Sequence, residues 1–304
     1  MAEATEADKR AGFVALIGAP NVGKSTLLNV LVGAKVSIVT PKVQTTRALV
    51  RGIAMEGAAQ LIFVDTPGIF APRRRLDRAM VGSAWASMQD ADLIALVIDA
   101  KKGIKDDDEA ILKGLGDVRP AKTLVLNKVD LVAKPALLTL TLQLNERVAF
   151  AATFMISARN GEGVADLKRW FAAHVPPGPW LYPEDQISAA PLRQLAAEIT
   201  REKLYLRLHQ ELPYQSTVET EVWKELKDGS VRIEQTIYVE RDSQRKIVLG
   251  KGGQAIKAIG AAARADIAKA VEQPVHLFLH VKVREGWGDD PERYREMGLE
   301  FPKE

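Results

Sequence analysis

Short apolar runs recur along residues 13–173 as FVALIG, QLIFVD, LIALVID, TLVLNK and FMIS, with helix-length segments between them. Apolar strands alternating with helices predict an α/β fold, a largely parallel sheet covered on both faces. The stretch LVRGIAMEGAAQLIFVD reads instead as two strands about a Glu56-Gly57 turn, which predicts one antiparallel strand at a sheet edge. Residues 174–191, HVPPGPWLYPEDQISAAP, are proline-rich and without periodicity, as in a stiff connector. Beyond them a helical pattern runs from Leu192 to about His209, and TVETEVWKEL and VRIEQTIYVE then form a hairpin joined at Asp228-Gly229. A short helical run, a glycine loop, a longer helix to about Val271 and the strand VHLFLHVKV complete an α-β-β-α-loop-α-β order. The expected boundaries are a disordered start over 1–10, a first domain over 11–175, a linker over 176–191, a second domain over 192–285 and a tail over 286–304.

Composition supports this division. A chain of 304 residues suits two domains, and 47% hydrophobic with 27% charged residues is the balance of a folded soluble protein. No apolar run approaches the roughly 20 residues of a membrane-spanning helix. The opening MAEATEADKR lacks the pattern of a secretory signal, so a cytoplasmic protein is expected. With no cysteine, disulfides and thiolate metal sites are excluded. The formal charge of +3 is unevenly spread: residues 241–269 hold seven bases against two acids, a local net of +5.

The chemistry begins at GAPNVGKS, residues 18–25, which fits the phosphate-loop pattern between a strand and a helix. Backbone amides over Asn21, Val22, Gly23, Lys24, Ser25 and Thr26 can cradle a polyphosphate, Lys24 can reach its β and γ groups, and the Ser25 hydroxyl can ligate magnesium. The motif alone does not choose the base. NKVD, residues 127–130, supplies the choice: the Asp130 carboxylate can accept two parallel N–H bonds from guanine, which adenine cannot offer. Asn127 and Lys128 belong to the same element, and Ser157 and Ala158 of ISA could bring a backbone amide to the guanine oxygen. In DTPG, residues 65–68, Asp65 can hold magnesium through water and the Gly68 amide can meet the γ-phosphate. Of the paired threonines in QTTR, Thr46 rather than Thr45 is expected to close over the metal. Each element sits at a strand's carboxyl end, where open α/β sheets bind ligands.

Through GAPNVGKS, QTTR, DTPG, NKVD and SA the chain resembles the translation-factor-related GTPases. The resemblance implies GTP hydrolysis with Mg2+, toggling segments near 37–47 and 66–75 between ordered and loose states. Lys24, Asn21, Thr46 and Gly68 are then the expected catalytic set. Ile69 stands where small signalling GTPases place a water-orienting glutamine, so unaided hydrolysis should be slow. In relatives of this branch the loop asparagine, here Asn21, helps bind a potassium ion that offsets transition-state charge.

A second glycine loop, Gly250-Lys251-Gly252-Gly253, lies inside the basic window. No lysine-serine pair opens the helix after it, so it does not suit a second nucleotide. A G-x-x-G loop between two helices beside a three-stranded sheet resembles the α+β type II KH domain, whose loop clamps single-stranded RNA. Lys246, Lys251 and Lys257 would add charge beside the phosphates. Ile247, Val248, Ile256 and Ile259 could form the base-holding groove or simply core. Across nearly the whole chain, the order GTPase domain, connector, KH domain resembles a family of bacterial GTPases of small-subunit assembly. That resemblance implies binding near the 3′ end of 16S ribosomal RNA on the 30S subunit, a monomer, and peripheral contact with the inner face of the cell membrane. A constitutive RNA-binding protein with a structural nucleotide site is the alternative. A double-GTPase ribosome factor is opposed by the single phosphate loop, and a metabolic kinase would need no guanine selector.

Overall fold

A computed structural model describes residues 8–208, 212–286 and 290–302. Of the start expected to be disordered, residues 1–7 lie outside these, and Arg10 already opens a strand. His209, where the helical pattern beginning at Leu192 was expected to end, also lies outside them, and that helix closes at Arg207.

In the first unit β1 (Arg10–Ile17), β3 (Ala59–Asp65), β4 (Leu93–Asp99), β5 (Ala121–Asn127) and β6 (Ala152–Ile156) run parallel, while β2 (Val50–Glu56) pairs antiparallel with β3. The order is β2-β3-β1-β4-β5-β6, with the antiparallel strand at the edge as its turn at Gly57 predicts. Every residue of β3 and β4 is buried, so these strands carry apolar side chains on both faces without alternation. Cover comes from α1 (Lys24–Val32), α2 (Arg75–Gln89), α3 (Asp106–Leu115), α4 (Lys134–Asn145) and α5 (Val164–His174). Phe63 of β3 meets Phe171 of α5 edge-on at 5.8 Å, and Trp170 and Phe154 continue the aromatic packing. The chain leaves β1 toward β3 on one side and leaves β4 toward β5 on the other. The crevice at the carboxyl end of β1 is the switch point where such folds take ligands.

The proline-rich connector is pinned to the β2–β3 hairpin. Trp180 Nε1 donates to the Ala58 carbonyl at 2.9 Å, the buried Gln60 side chain binds the Leu181 and Tyr182 backbone, and the Ile53 amide donates to Ile187. Residues up to Ala189 thereby group with the first unit, as do 297–302, where Arg75 stacks on Phe301 at 5.0 Å.

The second unit comprises α6 (Leu192–Arg207), β7 (Ser216–Glu225), β8 (Val231–Val239), α7 (Asp242–Leu249), α8 (Gln254–Val271), β9 (Val275–Val283) and α9 (Pro291–Glu296). Its sheet has the order β7-β8-β9, antiparallel then parallel. Leu204, Ile237, Val248 and Ile259 form one buried cluster, and Ile199, Ile233, Ala263, Ile267 and Val275 a second. Residues 38–45 group with this unit. Glu202 of α6 accepts the Val39 amide at 2.9 Å, and the buried Arg201 donates to the Thr45 carbonyl at 2.5 Å.

Candidate functional site

The turn from β1 into α1 is built for a polyphosphate. Gly23 caps α1 in the left-handed region, φ 103°, and a Cβ there would lie 2.3 Å from Asn127 Nδ2, so only glycine lets the loop approach β5. Lys24 is buried and donates to the Gly18 and Ala19 carbonyls at 2.9 and 3.0 Å. Burial lowers its pKa from 10.5 to about 8, against the opposing pull of the Asp65 carboxylate.

Asp65 ends β3 beneath this loop. Its Oδ2 accepts Ser25 Oγ at 2.5 Å, Ser37 Oγ at 3.0 Å and Thr46 Oγ1 at 3.3 Å, while Ser25 and Thr46 lie 3.0 Å apart. Its Oδ1 is buried without a hydrogen-bond partner, an uncompensated acceptor that a cation would satisfy. Burial raises the Asp65 pKa, opposed first by Lys24 and then by the three hydroxyls. A set of hard oxygens with one carboxylate fits magnesium. Thr45 turns elsewhere, binding Thr40 Oγ1 at 2.6 Å and the Lys42 carbonyl at 2.7 Å.

The NKVD element is tied to the phosphate loop twice. Asn127 Nδ2 donates to the Val22 carbonyl at 2.8 Å, and Lys128 Nζ donates to the Asn21 carbonyl at 2.8 Å. Asn21 and Lys128 both hold positive φ, 63° and 66°. Asp130 stands exposed in a one-turn 3-10 helix, Val129–Leu131. Of the ISA segment, expected to bring a backbone amide to guanine, the Ala158 amide donates to Asn127 Oδ1 at 2.9 Å and the Ser157 amide to the Glu162 carbonyl at 3.0 Å. Ile69 is buried in the core, its amide bonded to the Gly18 carbonyl, and its apolar side chain carries no group that could orient a water. Gly68 packs against the phosphate loop, where a Cβ would lie 2.8 Å from Pro20.

In the second unit Gly250, Gly252 and Gly253 hold φ of 72°, 59° and 76° between α7 and α8. A Cβ on Gly250 would lie 2.6 Å from that of Ala255, so the first glycine is required for the turn. Lys251, Lys257 and Lys246 are exposed, the last paired with Asp242 at 3.2 Å. The four apolar candidates divide: Val248 and Ile259 are core, Ile256 packs against it, and Ile247 is 56% exposed beside the loop.

A family model described as 50S ribosome-binding GTPase matches residues 13–128, and a KH-domain model matches 211–288. GTPase Era of Afipia carboxidovorans is 69% identical over 97% of this chain and 96% of its own length. GTPase Era of Rhizobium meliloti is 69% identical over 97% and 94%. The chain belongs to the Era GTPase family. Two solved Era structures, each 37% identical with a TM-score of 0.90, cover 95% of this chain and 99% of their own. One is an Aquifex aeolicus Era variant bound to GDP and aluminium fluoride, the other an Era with MgGDPNP and nucleotides 1506–1542 of 16S ribosomal RNA.

Around this Era-type site stand residues that motif reading passes over. Ser37 reaches Asp65 from outside any motif. Asp99, at the end of β4, binds Lys128 at 2.6 Å. Arg47, next to Thr46, is buried. A signal for Asp99 existed in its place at the carboxyl end of a central strand; for Ser37 the sequence carries none.

Proposed function

We propose that this chain is a slow GTP-hydrolysing switch that binds 16S ribosomal RNA near its 3′ end in its GTP state and releases it after hydrolysis, assisting 30S subunit assembly. The observation that carries it is Asp65, with three hydroxyls gathered on one oxygen and the other left buried and unbonded beneath a phosphate loop.

In this reading the amides from Asn21 to Thr26 and the start of α1 bind the phosphates, with Lys24 on the β and γ groups. Ser25, Thr46 and Asp65 would hold magnesium, which supplies charge neutralisation at the β and γ oxygens. The Gly68 amide donates to the γ-phosphate. Water adds to the γ-phosphorus, the bond to the β–γ bridging oxygen breaks, and GDP and phosphate leave. With Ile69 in the core, no side chain at that position orders the water, so unaided turnover is slow. In this reading Asn21 helps hold potassium, and comparison of turnover in potassium and sodium salts tests that role.

Lys24 gives this reading a pH signature. Only the ammonium attracts phosphate, and bound phosphate raises its pKa again, so binding takes up a proton above the free value of about 8. GDP affinity is expected to be flat below that value and to fall by up to about tenfold per pH unit above it. Calorimetry at about pH 9 in two buffers of different ionisation enthalpy reads the proton directly. Identical heats would place the Lys24 titration elsewhere.

Gly250 to Gly253, with Lys246, Lys251 and Lys257, form the RNA clamp of this reading. An RNA matching the 3′ end of 16S ribosomal RNA is expected to bind at least tenfold tighter with a non-hydrolysable GTP analogue than with GDP at fixed salt. Equal affinities would select a constitutive RNA-binding protein. The reading includes a monomer in the cytoplasm with peripheral membrane contact through basic surface. Among the described residues no helix is long and apolar enough to cross a membrane.

A further inference from the structure

Asp99 lies outside the phosphate loop, the DTPG element and NKVD, yet its side chain is almost fully enclosed at the end of β4. Its two oxygens do different work. Oδ1 accepts the Lys101 and Lys102 amides at 3.1 and 3.3 Å and so shapes the turn after β4. Oδ2 accepts Lys128 Nζ at 2.6 Å. The same ammonium donates to the Asn21 carbonyl at 2.8 Å, so one lysine nitrogen is shared between a buried carboxylate and the phosphate loop.

This sharing addresses two local difficulties. Lys128 and Asn21 both sit in the left-handed region, which asparagine tolerates but which a lysine adopts at a cost its surroundings must offset. A four-carbon side chain also has many rotamers, and one neutral carbonyl is a weak anchor for a strongly hydrated ammonium. A buried carboxylate on the opposite side fixes the nitrogen through a charge-assisted bond. The second tie between these segments, Asn127 to Val22, is a neutral bond to the neighbouring loop residue.

We infer that Asp99 is a positioning residue for guanine nucleotides, acting through Lys128 to lock the guanine-side loop onto the phosphate loop. The inference rests on the GTP-site reading given above. Asp99 touches neither base nor phosphate in this role. It pre-organises two binding segments, so its loss should appear in nucleotide affinity more than in the chemical step.

Asp99→Asn is the informative change, because an amide oxygen keeps the two turn bonds while the charge facing Lys128 is lost. Fluorescent-GDP titration and steady-state GTPase assays on the full chain would compare the parent, Asp99→Asn, Lys128→Met and the double variant. Asp99→Asn is expected to weaken GDP by about tenfold and raise the KM for GTP similarly, with kcat within about twofold. In the Lys128→Met background the same change should cost less than about twofold, since the interaction it serves is already absent. Unchanged GDP affinity in the single variant, or an equal further loss in the double, would overturn the inference and leave Asp99 a turn residue. If Asp99→Asn does not fold, Asp99→Glu, which keeps the charge, is expected to retain GDP affinity within about threefold; a larger loss with unchanged melting temperature would also overturn it. Failure of the underlying reading is separate: the parent protein itself would then not bind GDP.

Discussion

Asp130→Asn is expected to lower affinity for GTP by about a hundredfold or more and to convert the protein to a preference for XTP. A carboxylate accepts two N–H bonds from guanine, and each charge-assisted bond contributes about 1.5–3 kcal/mol; losing about 3 kcal/mol already corresponds to more than a hundredfold. Xanthine carries a carbonyl where guanine has its exocyclic amine, so the asparagine amide can donate where the carboxylate could only accept. The fold should be unaffected. Asp130 is exposed in its short turn, and the turn is held by backbone bonds from Leu131 to Lys128 and from Val132 to Val129, at 3.0 and 3.1 Å. Competition of GTP and XTP against a fluorescent nucleotide measures the effect. GTP affinity within about threefold of the parent would remove Asp130 from guanine recognition and reopen the choice of base.

The parts of this site legible in the sequence share a physical property: their chemistry is local. Gly23, Lys24 and Ser25 act through one turn of backbone and the helix that follows, and that turn needs its residues at fixed spacing. Of the paired threonines, Thr46 bonds Asp65 while Thr45 bonds the Lys42 carbonyl. The largely parallel sheet and its antiparallel edge were likewise readable from apolar runs and one glycine turn, whereas the order of the strands comes from the structure alone. What stayed hidden depends on contacts between segments far apart in the chain. Ser37 reaches a carboxylate 28 residues on, and Asp99 a lysine 29 residues on. The connector looks like a spacer because prolines dominate it, yet Trp180 and the backbone at Leu181 and Tyr182 find acceptors and a donor 121 or 122 residues earlier. The Ala158 amide is occupied by Asn127, a detail that no tripeptide pattern could carry.

Replacing Lys251 and Gly252 together by aspartate is expected to reduce RNA affinity by at least about a hundredfold while leaving GDP affinity within about twofold. The change removes one positive charge and adds two negative ones, taking residues 241–269 from a net of +5 to +2. Anions would then stand where phosphates must approach the main chain. Misfolding is not the expected route to the loss. Lys251 is exposed, and a Cβ on Gly252 meets nothing within 4 Å. Its φ of 59° lies in a region that aspartate tolerates better than most residues, at a cost of about 1–2 kcal/mol. Gly250, which has no room for a Cβ, is left intact. A diffuse basic surface would respond differently: Lys246→Gln and Lys257→Gln would each weaken RNA by similar small amounts, and the double aspartate variant would add little beyond its charge. A clamp concentrates the loss at the loop and lowers the salt dependence by about one unit for each phosphate contact removed. RNA binding that survives the double variant with its salt dependence unchanged would show that the nucleic acid is held elsewhere on this unit.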